Sequence, residues 1–172
     1  QHMAMARRME IIPHVYHSTQ GTVHTGPFAG MKIVPKVSWG DGDIAAKLLG
    51  VYEDELHEFI NLAVEQQPDL VINIGCAEGY YALGLAKCLP DSQVIAVDIE
   101  ATSTEICREN QQANGLNNVI VITHEVDTAW LQRTLESANN PLIFMDCEGA
   151  ELKLLDFDQV PALTKTSVIV EC

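Results

Sequence analysis

The chain has 172 residues, with 24 Asp and Glu against 10 Lys and Arg and a formal net charge of −14. That length suits one domain that buries its own core without disulfide or metal staples. The negative field repels phosphate backbones and anionic lipid, which argues against nucleic-acid and membrane partners.

The five cysteines, Cys76, Cys88, Cys107, Cys147 and Cys172, are scattered, with no C-x-x-C pair. They read as reduced thiols of a cytoplasmic protein, not as a zinc site or a disulfide framework. No stretch has the length of a membrane-spanning helix, and no signal peptide is visible. Gln1-His2-Met3-Ala4 reads as a vector remnant.

From Met5 to Gly50 the chain shows no sustained period. Arg7, Arg8, His14, His17 and His24 lack an acid or cysteine at ligand spacing, so a solvated surface fits them better than a metal site. Met31 to Val34 predicts a short strand before Pro35, and Ser38 to Asp43 a glycine-rich acidic connection. Ile44 to Leu49 predicts a short helix stopped by Gly50. Tyr52 to Glu55 opens a longer helix, with Leu56, Phe59, Ile60 and Ala63 as its apolar stripe.

Leu70 to Ile74 is a short apolar run rich in β-branched residues, the signature of a buried strand. Gly75-Cys76-Ala77-Glu78-Gly79 follows, and then Tyr81, Leu83, Leu85, Ala86 and Leu89 recur at roughly helical spacing. Strand, glycine turn and helix is the nucleotide-site pattern of doubly wound sheets. The loop is G-x-A-x-G, not G-x-G-x-x-G, and Glu78 inside it would repel a pyrophosphate. S-adenosylmethionine carries no phosphate, and its sulfonium and ammonium tolerate a nearby carboxylate. A purely structural turn is the competing reading.

Gln93 to Asp98 is the next strand, and Asp98 falls about 20 residues past the loop, where an acid reaches ribose hydroxyls. Thr102 with Glu105 resembles a capping box for the helix that runs to Asn114, so Asp98 is not needed as its cap. Ile106, Cys107, Asn110 and Ala113 share one face of that helix, and Gly115 ends it. Val119 to Thr123 is a third strand, Thr128 to Ala138 a helix, and Leu142 to Met145 a fourth strand. Ala150 to Leu155 is helical, and Ser167 to Cys172 is the last strand. Such alternation predicts an α/β fold: a doubly wound, mostly parallel, Rossmann-like sheet. Residues 1–50 then form the remnant and a substrate-cap segment, and residues 51–172 the cofactor-binding domain.

Asp146, Glu148 and Glu171 fall at the carboxyl ends of the fourth and fifth strands, the rim where open α/β sheets hold ligands. Three carboxylates there could take a proton from an acceptor or hold a hard divalent cation, though no metal is predicted. Glu151 fits better as a helix N-terminal acid. Asn73, Gly75, Cys76, Ala77, Glu78, Gly79, Tyr80, Asp98, Ile99 and Asp127 are the candidate cofactor residues. Tyr81 serves equally well as core.

Gly-Cys-Ala-Glu-Gly-Tyr-Tyr at 75–81, Asn-Gly-Leu-Asn-Asn-Val at 114–119 and Asp-Cys-Glu-Gly-Ala-Glu at 146–151 together resemble the FkbM-type methyltransferases. Gly26-Pro27-Phe28 and Gly50-Val51-Tyr52-Glu53 are similar to entry segments of such proteins. The resemblance implies a class I fold, S-adenosylmethionine as cofactor, and methyl transfer to oxygen of a small-molecule or sugar-type acceptor. It implies that Gly75, Ala77 and Gly79 line the methionine part and Asp98 the ribose. Two readings compete: an NAD(P)-dependent oxidoreductase and a non-catalytic cofactor-binding interaction domain. The family's sheet continues past its fifth strand, so Ser167 to Cys172 is expected to be an apolar edge. A tail or a second copy in a homo-oligomer would cover it.

Overall fold

A computed structural model describes residues 2–36, 43–147 and 149–170, with side chains from Ile11 onward. Among the described residues the sheet has five parallel strands in the order β3-β2-β1-β4-β5. They are β1 (Leu70–Ile74), β2 (Gln93–Asp98), β3 (Val119–Thr123), β4 (Pro141–Met145) and β5 (Ser167–Val170). Every residue of β1 and β4 is buried, as expected for central strands covered on both faces. β1 pairs with β2 on one side and β4 on the other, in register from Leu70↔Gln93 and Leu70↔Pro141.

The helices are α1 (His2–Thr19), α2 (Ile44–Leu49), α3 (His57–Glu65), α4 (Tyr80–Cys88), α5 (Ala101–Asn114), α6 (Thr128–Glu136) and α7 (Glu151–Leu154). Alternate side chains along each strand feed two cores. Val71, Val94, Ala96, Leu142 and Phe144 pack with α2, α3, α4 and α5. Ile72, Ile74, Val97, Ile143 and Met145 pack with α6, α7 and the 3-10 helix Pro161–Lys165. Gly50 and Gly115 end α2 and α5 in the left-handed conformation, where a side chain would be strained.

The structure departs from the sequence pattern mainly before Gly50. α1 occupies a stretch that shows no sustained period, and it includes His2 to Ala4 of the presumed remnant. Pro13 and interspersed histidines blur its pattern, but Ile12, Val15 and Tyr16 pack on the core, and the Tyr16 hydroxyl donates to Ile33 O at 2.9 Å. The expected strand at Met31 to Val34 reduces to one antiparallel bridge, Thr22 to Lys32. The connection at Ser38 to Asp43 lies, except for Asp43, outside the described residues.

The helix expected from Tyr52 begins instead as a 3-10 turn, Asp54–Leu56, because Glu53 adopts φ 44 and breaks the α path. Phe59 and Ala113, expected inward, are exposed; the α3 face that packs is that of Ile60 and Ala63. β5 forms one edge and bonds only to β4 among the described strands, with Val168 exposed and Ile169 and Val170 half-buried. Among the described residues no helix is long and apolar enough to cross a membrane.

Residues 21–36 run across α4 and α5. Gly84 lets the Phe28 ring lie flat on α4, since a Cβ there would overlap it. Asn110 and Asn114 of α5 bond the Val34 and Lys32 N–H groups at 2.7 and 2.8 Å. Phe28 is 1% exposed and has edge contacts with Tyr80 and Tyr81, so it ties this segment to the main core. Phe28→Ala should lower the unfolding free energy by about 3–5 kcal/mol, the usual cost of deleting a buried aromatic. Urea denaturation measures this, and a loss below about 1 kcal/mol would make the segment peripheral.

Candidate functional site

The turn from β1 into α4 lies at the centre of the sheet's carboxyl rim. Gly75 takes φ 77, and a Cβ on it would overlap the carbonyl oxygen of Asp146. Only glycine permits that approach. The Gly75 and Cys76 N–H groups both donate to Val97 O, at 2.9 and 3.1 Å. The Ala77 N–H donates to Asp98 Oδ2 at 2.8 Å, and the Gly79 N–H to Cys76 O at 2.7 Å. Four N–H groups of the five-residue loop therefore end on the protein itself. Ala77 holds φ 46, unusual for a residue with a side chain, and Asp98 fixes it there. Gly79 takes φ 90, and a Cβ there would meet Cys107 Sγ at 2.5 Å.

Asp98 ends β2 and is 9% exposed. Its second oxygen accepts the Glu100 N–H at 2.9 Å, closing the turn into α5. The capping box expected of Thr102 and Glu105 does not form. Helix α5 starts after Glu100 with no side-chain cap, and Asp98 does part of that job. Ile99 is 66% exposed beside it, an apolar surface on the rim. Asp127 caps α6 by accepting the Trp130 N–H at 2.6 Å, and its exposed carboxylate belongs to the β3–α6 loop.

Asn73 is 1% exposed in β1, two residues before Gly75. Its Nδ2 donates to Phe144 O at 3.3 Å. Its Oδ1 is the one buried side-chain polar atom without a hydrogen-bond partner among the described residues.

Glu78 does not face open solvent. Its side chain forms an ion pair with Lys47 of α2, whose ammonium also lies 4.6 Å from the Tyr52 ring centroid. This corrects the expectation that Glu78 stands as an uncompensated charge against a pyrophosphate. Met31, Ile33, Leu83 and Asn110 line the loop at Glu78 and Gly79. Tyr81 stacks on Phe144 at 4.0 Å and donates its hydroxyl to Glu53, so it is core. Burial, then the Glu53 charge, pushes the Tyr80 phenol up to about 12; burial and the bond to Glu53 drive Tyr81 higher still. Neither phenol is a base near neutrality. The bond to Cys107, together with burial, holds the Cys76 thiol well above its ordinary value.

Asp146 follows β4, half-buried, and its N–H donates to Ile74 O at 3.0 Å. Glu148 and Glu171, its expected partners, lie outside the described residues. Among the described residues no group of three His, Cys, Asp or Glu could hold a metal. Glu151 turns back to accept the Cys147 N–H at 3.1 Å. Backbone N–H groups of Glu151, Gly149 and Cys147 hold its carboxyl below the ordinary pKa, so the last acid of the 146–151 motif closes the turn.

Sequence reasoning missed Lys47 and Glu53. The signal for Lys47 is a single charge in the apolar run Ile44–Leu49, which needs a partner once buried.

Comparison with known proteins follows the same rim. A family model described as "Putative methyltransferase" matches residues 67–145, from the approach to β1 to the end of β4. A ribosomal protein L11 methyltransferase of Thermotoga neapolitana is 29% identical over 90 residues, 52% of this chain and 31% of its own length. The MTRF1L release factor glutamine methyltransferase of Homo sapiens is 30% identical over 103 residues, 55% of this chain and 30% of its own. The chain thus spans less than a third of the length of the curated relatives it matches.

Among solved structures, the SAH-bound Podospora anserina methyltransferase PaMTH1 superposes with a TM-score of 0.56 at 16% identity. It covers 93% of this chain and 61% of its own. The O-methyltransferase TomG from Streptomyces achromogenes, solved with SAM, gives a TM-score of 0.51 at 17% identity, over 95% and 64%. These likenesses show the class I methyltransferase fold.

Burial, then the hydrogen bond and charge of Glu151, pushes the Cys147 thiol up to about 12. At pH 8 its thiolate fraction should be about 10⁻⁴, against roughly a quarter for an ordinary thiol. Iodoacetamide should therefore leave Cys147 unmodified in peptide maps while unfolded chain is labelled. Glu151→Gln removes the charge and should speed labelling at that position. Equal rates in the two proteins would separate Glu151 from the thiol.

Proposed function

We propose that the chain binds S-adenosylmethionine on the Gly75–Gly79 loop and forms the cofactor-binding part of a methyltransferase. One observation carries this reading: the loop's donors are engaged. A dinucleotide site needs free loop N–H groups and a second glycine so that the backbone can meet a pyrophosphate. Here Gly75, Cys76, Ala77 and Gly79 donate within the protein, and Ala77 stands in the second glycine's place. A sulfonium nucleoside asks for neither. The oxidoreductase reading therefore loses its support at the loop itself.

The residues present suit the group. Asp98 ends β2 with an acceptor set for ribose hydroxyls, and Ile99 offers an exposed apolar face for a base. The unpartnered Asn73 Oδ1 can accept an N–H. Gly75, Cys76, Ala77, Gly79 and Tyr80 frame the methionine side, and Asp127 lies on the next loop of the rim. When bound, the cofactor supplies an electrophilic methyl group on sulfur. The chain's part is to align an acceptor, exclude water and remove a proton.

Asp146, at the end of β4 against Gly75, is the proposed base, with Glu148 and Glu171 as partners. Residues 26–36 and 43–52 are the proposed wall of the acceptor side. The 146–151 and 114–119 motifs support an FkbM-type enzyme acting on a hydroxyl of a small or sugar-type acceptor. The protein acceptors named for the curated relatives are not carried over, since the shared stretches cover less than a third of those proteins.

Calorimetric titration of the 172-residue chain should show S-adenosylhomocysteine binding and no heat with NAD. The reverse result would return the oxidoreductase reading. Asp98→Ala should weaken S-adenosylhomocysteine about ten- to hundredfold, since a hydrogen bond to a charged group contributes about 1.5–3 kcal/mol. Unchanged affinity would remove Asp98 from the site. Across a panel of hydroxyl acceptors, Asp146→Asn should lower turnover more than cofactor affinity. Parallel losses would make Asp146 a binding residue.

A further inference from the structure

Two ion pairs occur among the described residues. Lys36 and Glu109 meet at the surface, with side chains 54% and 43% exposed. Lys47 and Glu78 are only 12% and 9% exposed, and Glu78 belongs to the glycine loop. The Lys47 ammonium lies over two aromatic faces as well, 4.6 Å from the Tyr52 centroid and 5.7 Å from that of Tyr80. A buried pair of this kind contributes little stability beyond what apolar side chains would give, although losing one member is costly. Stability alone does not explain its place on the loop.

The other basic side chains with contacts are committed elsewhere: Lys87 to Ala29 O, Arg108 to Val121 O, Lys165 to Ala138 O. Among the described residues, Lys47 is the cation that pairs with the loop. Met31, Ile33, Leu83 and Asn110 line the loop at Glu78 and Gly79. An amino-acid head carries a carboxylate and an ammonium on one carbon. A Lys–Glu pair is its electrostatic complement, and contact between them leaves every charge opposed by its opposite.

We propose that Lys47 and Glu78 together read the amino-acid head of S-adenosylmethionine, Lys47 taking the carboxylate and Glu78 the ammonium. This rests on the cofactor reading given above. The two side chains neutralise each other in the structure, and a zwitterionic head adds one opposite charge to each. Tyr52 and Tyr80 hold the ammonium in place through their ring faces. The pair makes α2 part of the cofactor site and selects nucleosides that carry an amino acid over those that do not.

The test compares two ligands by calorimetry: S-adenosylhomocysteine, and 5′-methylthioadenosine, which keeps the adenosine thioether but lacks the head. Lys47→Gln should weaken S-adenosylhomocysteine at least tenfold and leave 5′-methylthioadenosine within twofold. Lys47→Arg should restore most of the loss. If Lys47→Gln leaves Glu78 unpaired and melts the fold, Lys47→Gln with Glu78→Gln keeps a neutral pair and should show the same selective loss. Equal weakening of both ligands, or of neither, in a variant with native circular dichroism would overturn the proposal and make the pair a brace. Failure of the unaltered chain to bind either ligand would instead overturn the cofactor reading beneath it.

Discussion

The structure depends on the contact between Gly75 and the carbonyl oxygen of Asp146. The two groups end adjacent parallel strands, and any side chain at Gly75 would drive β1 and β4 apart at their carboxyl ends. Because the contact is so close, the chain leaves β1 against the end of β4 before turning into α4. That contact lies between β1 and β4, where the order of strands reverses direction, the place at which open α/β sheets hold their ligands. Asp98 reaches the same turn from β2 and fixes the loop through the Ala77 N–H. Three strand ends are thus joined through one five-residue turn.

Strain and restraint coincide at this turn. Among the described residues four other than glycine have positive φ, and two of them, Ala77 and Glu53, belong to the site or its immediate support. Such conformations cost about 1–3 kcal/mol each and persist only where neighbours over-determine them. Ala77 is held by Asp98, and Glu53 by the Tyr81 hydroxyl. The segment from Lys47 to Glu53 gives a cation to the loop's Glu78 and a carboxylate to the first turn of α4. These two links of opposite sense lock α2 against the loop. Residues 21–36 and 44–53 are therefore structural neighbours of the site, packed in the same core as α4 and α5.

The sheet was legible in the sequence because buried parallel strands are unambiguous local signals. β1, β2 and β3 begin and end where the apolar runs do, and the glycines that stop α2 and α5 stand where helix-ending glycines are expected. The loop and Asp98 were legible for the same reason, since their spacing follows from a strand–turn–helix–strand unit. What escaped depends on contacts distant in sequence. α1 is helical because Ile12, Val15 and Tyr16 find the core, not because its own period is strong. Phe59 continues an apolar stripe yet faces solvent, since the 3-10 turn before α3 resets the helix phase. The Lys47–Glu78 pair joins residues 31 positions apart, and no local pattern encodes such a partner. Glu151 shows the converse: its acid reads as a helix-start residue, and its bond to the Cys147 N–H gives it that role.

Burial across the sheet explains why the chemistry gathers at its middle. β1 and β4 are buried along their whole length, while β3 and β5 at the edges are half-open. In the buried centre a polar group must find a partner or leave a deficit. Asp98, Glu78 and Asn110 find theirs, and Asn73 Oδ1 is left with the deficit. At the half-open edges the same groups would be satisfied by water, at little cost and with little selectivity. Only the centre therefore combines low dielectric, fixed donors and an unfilled acceptor, the conditions under which a few side chains can discriminate one charged ligand from another.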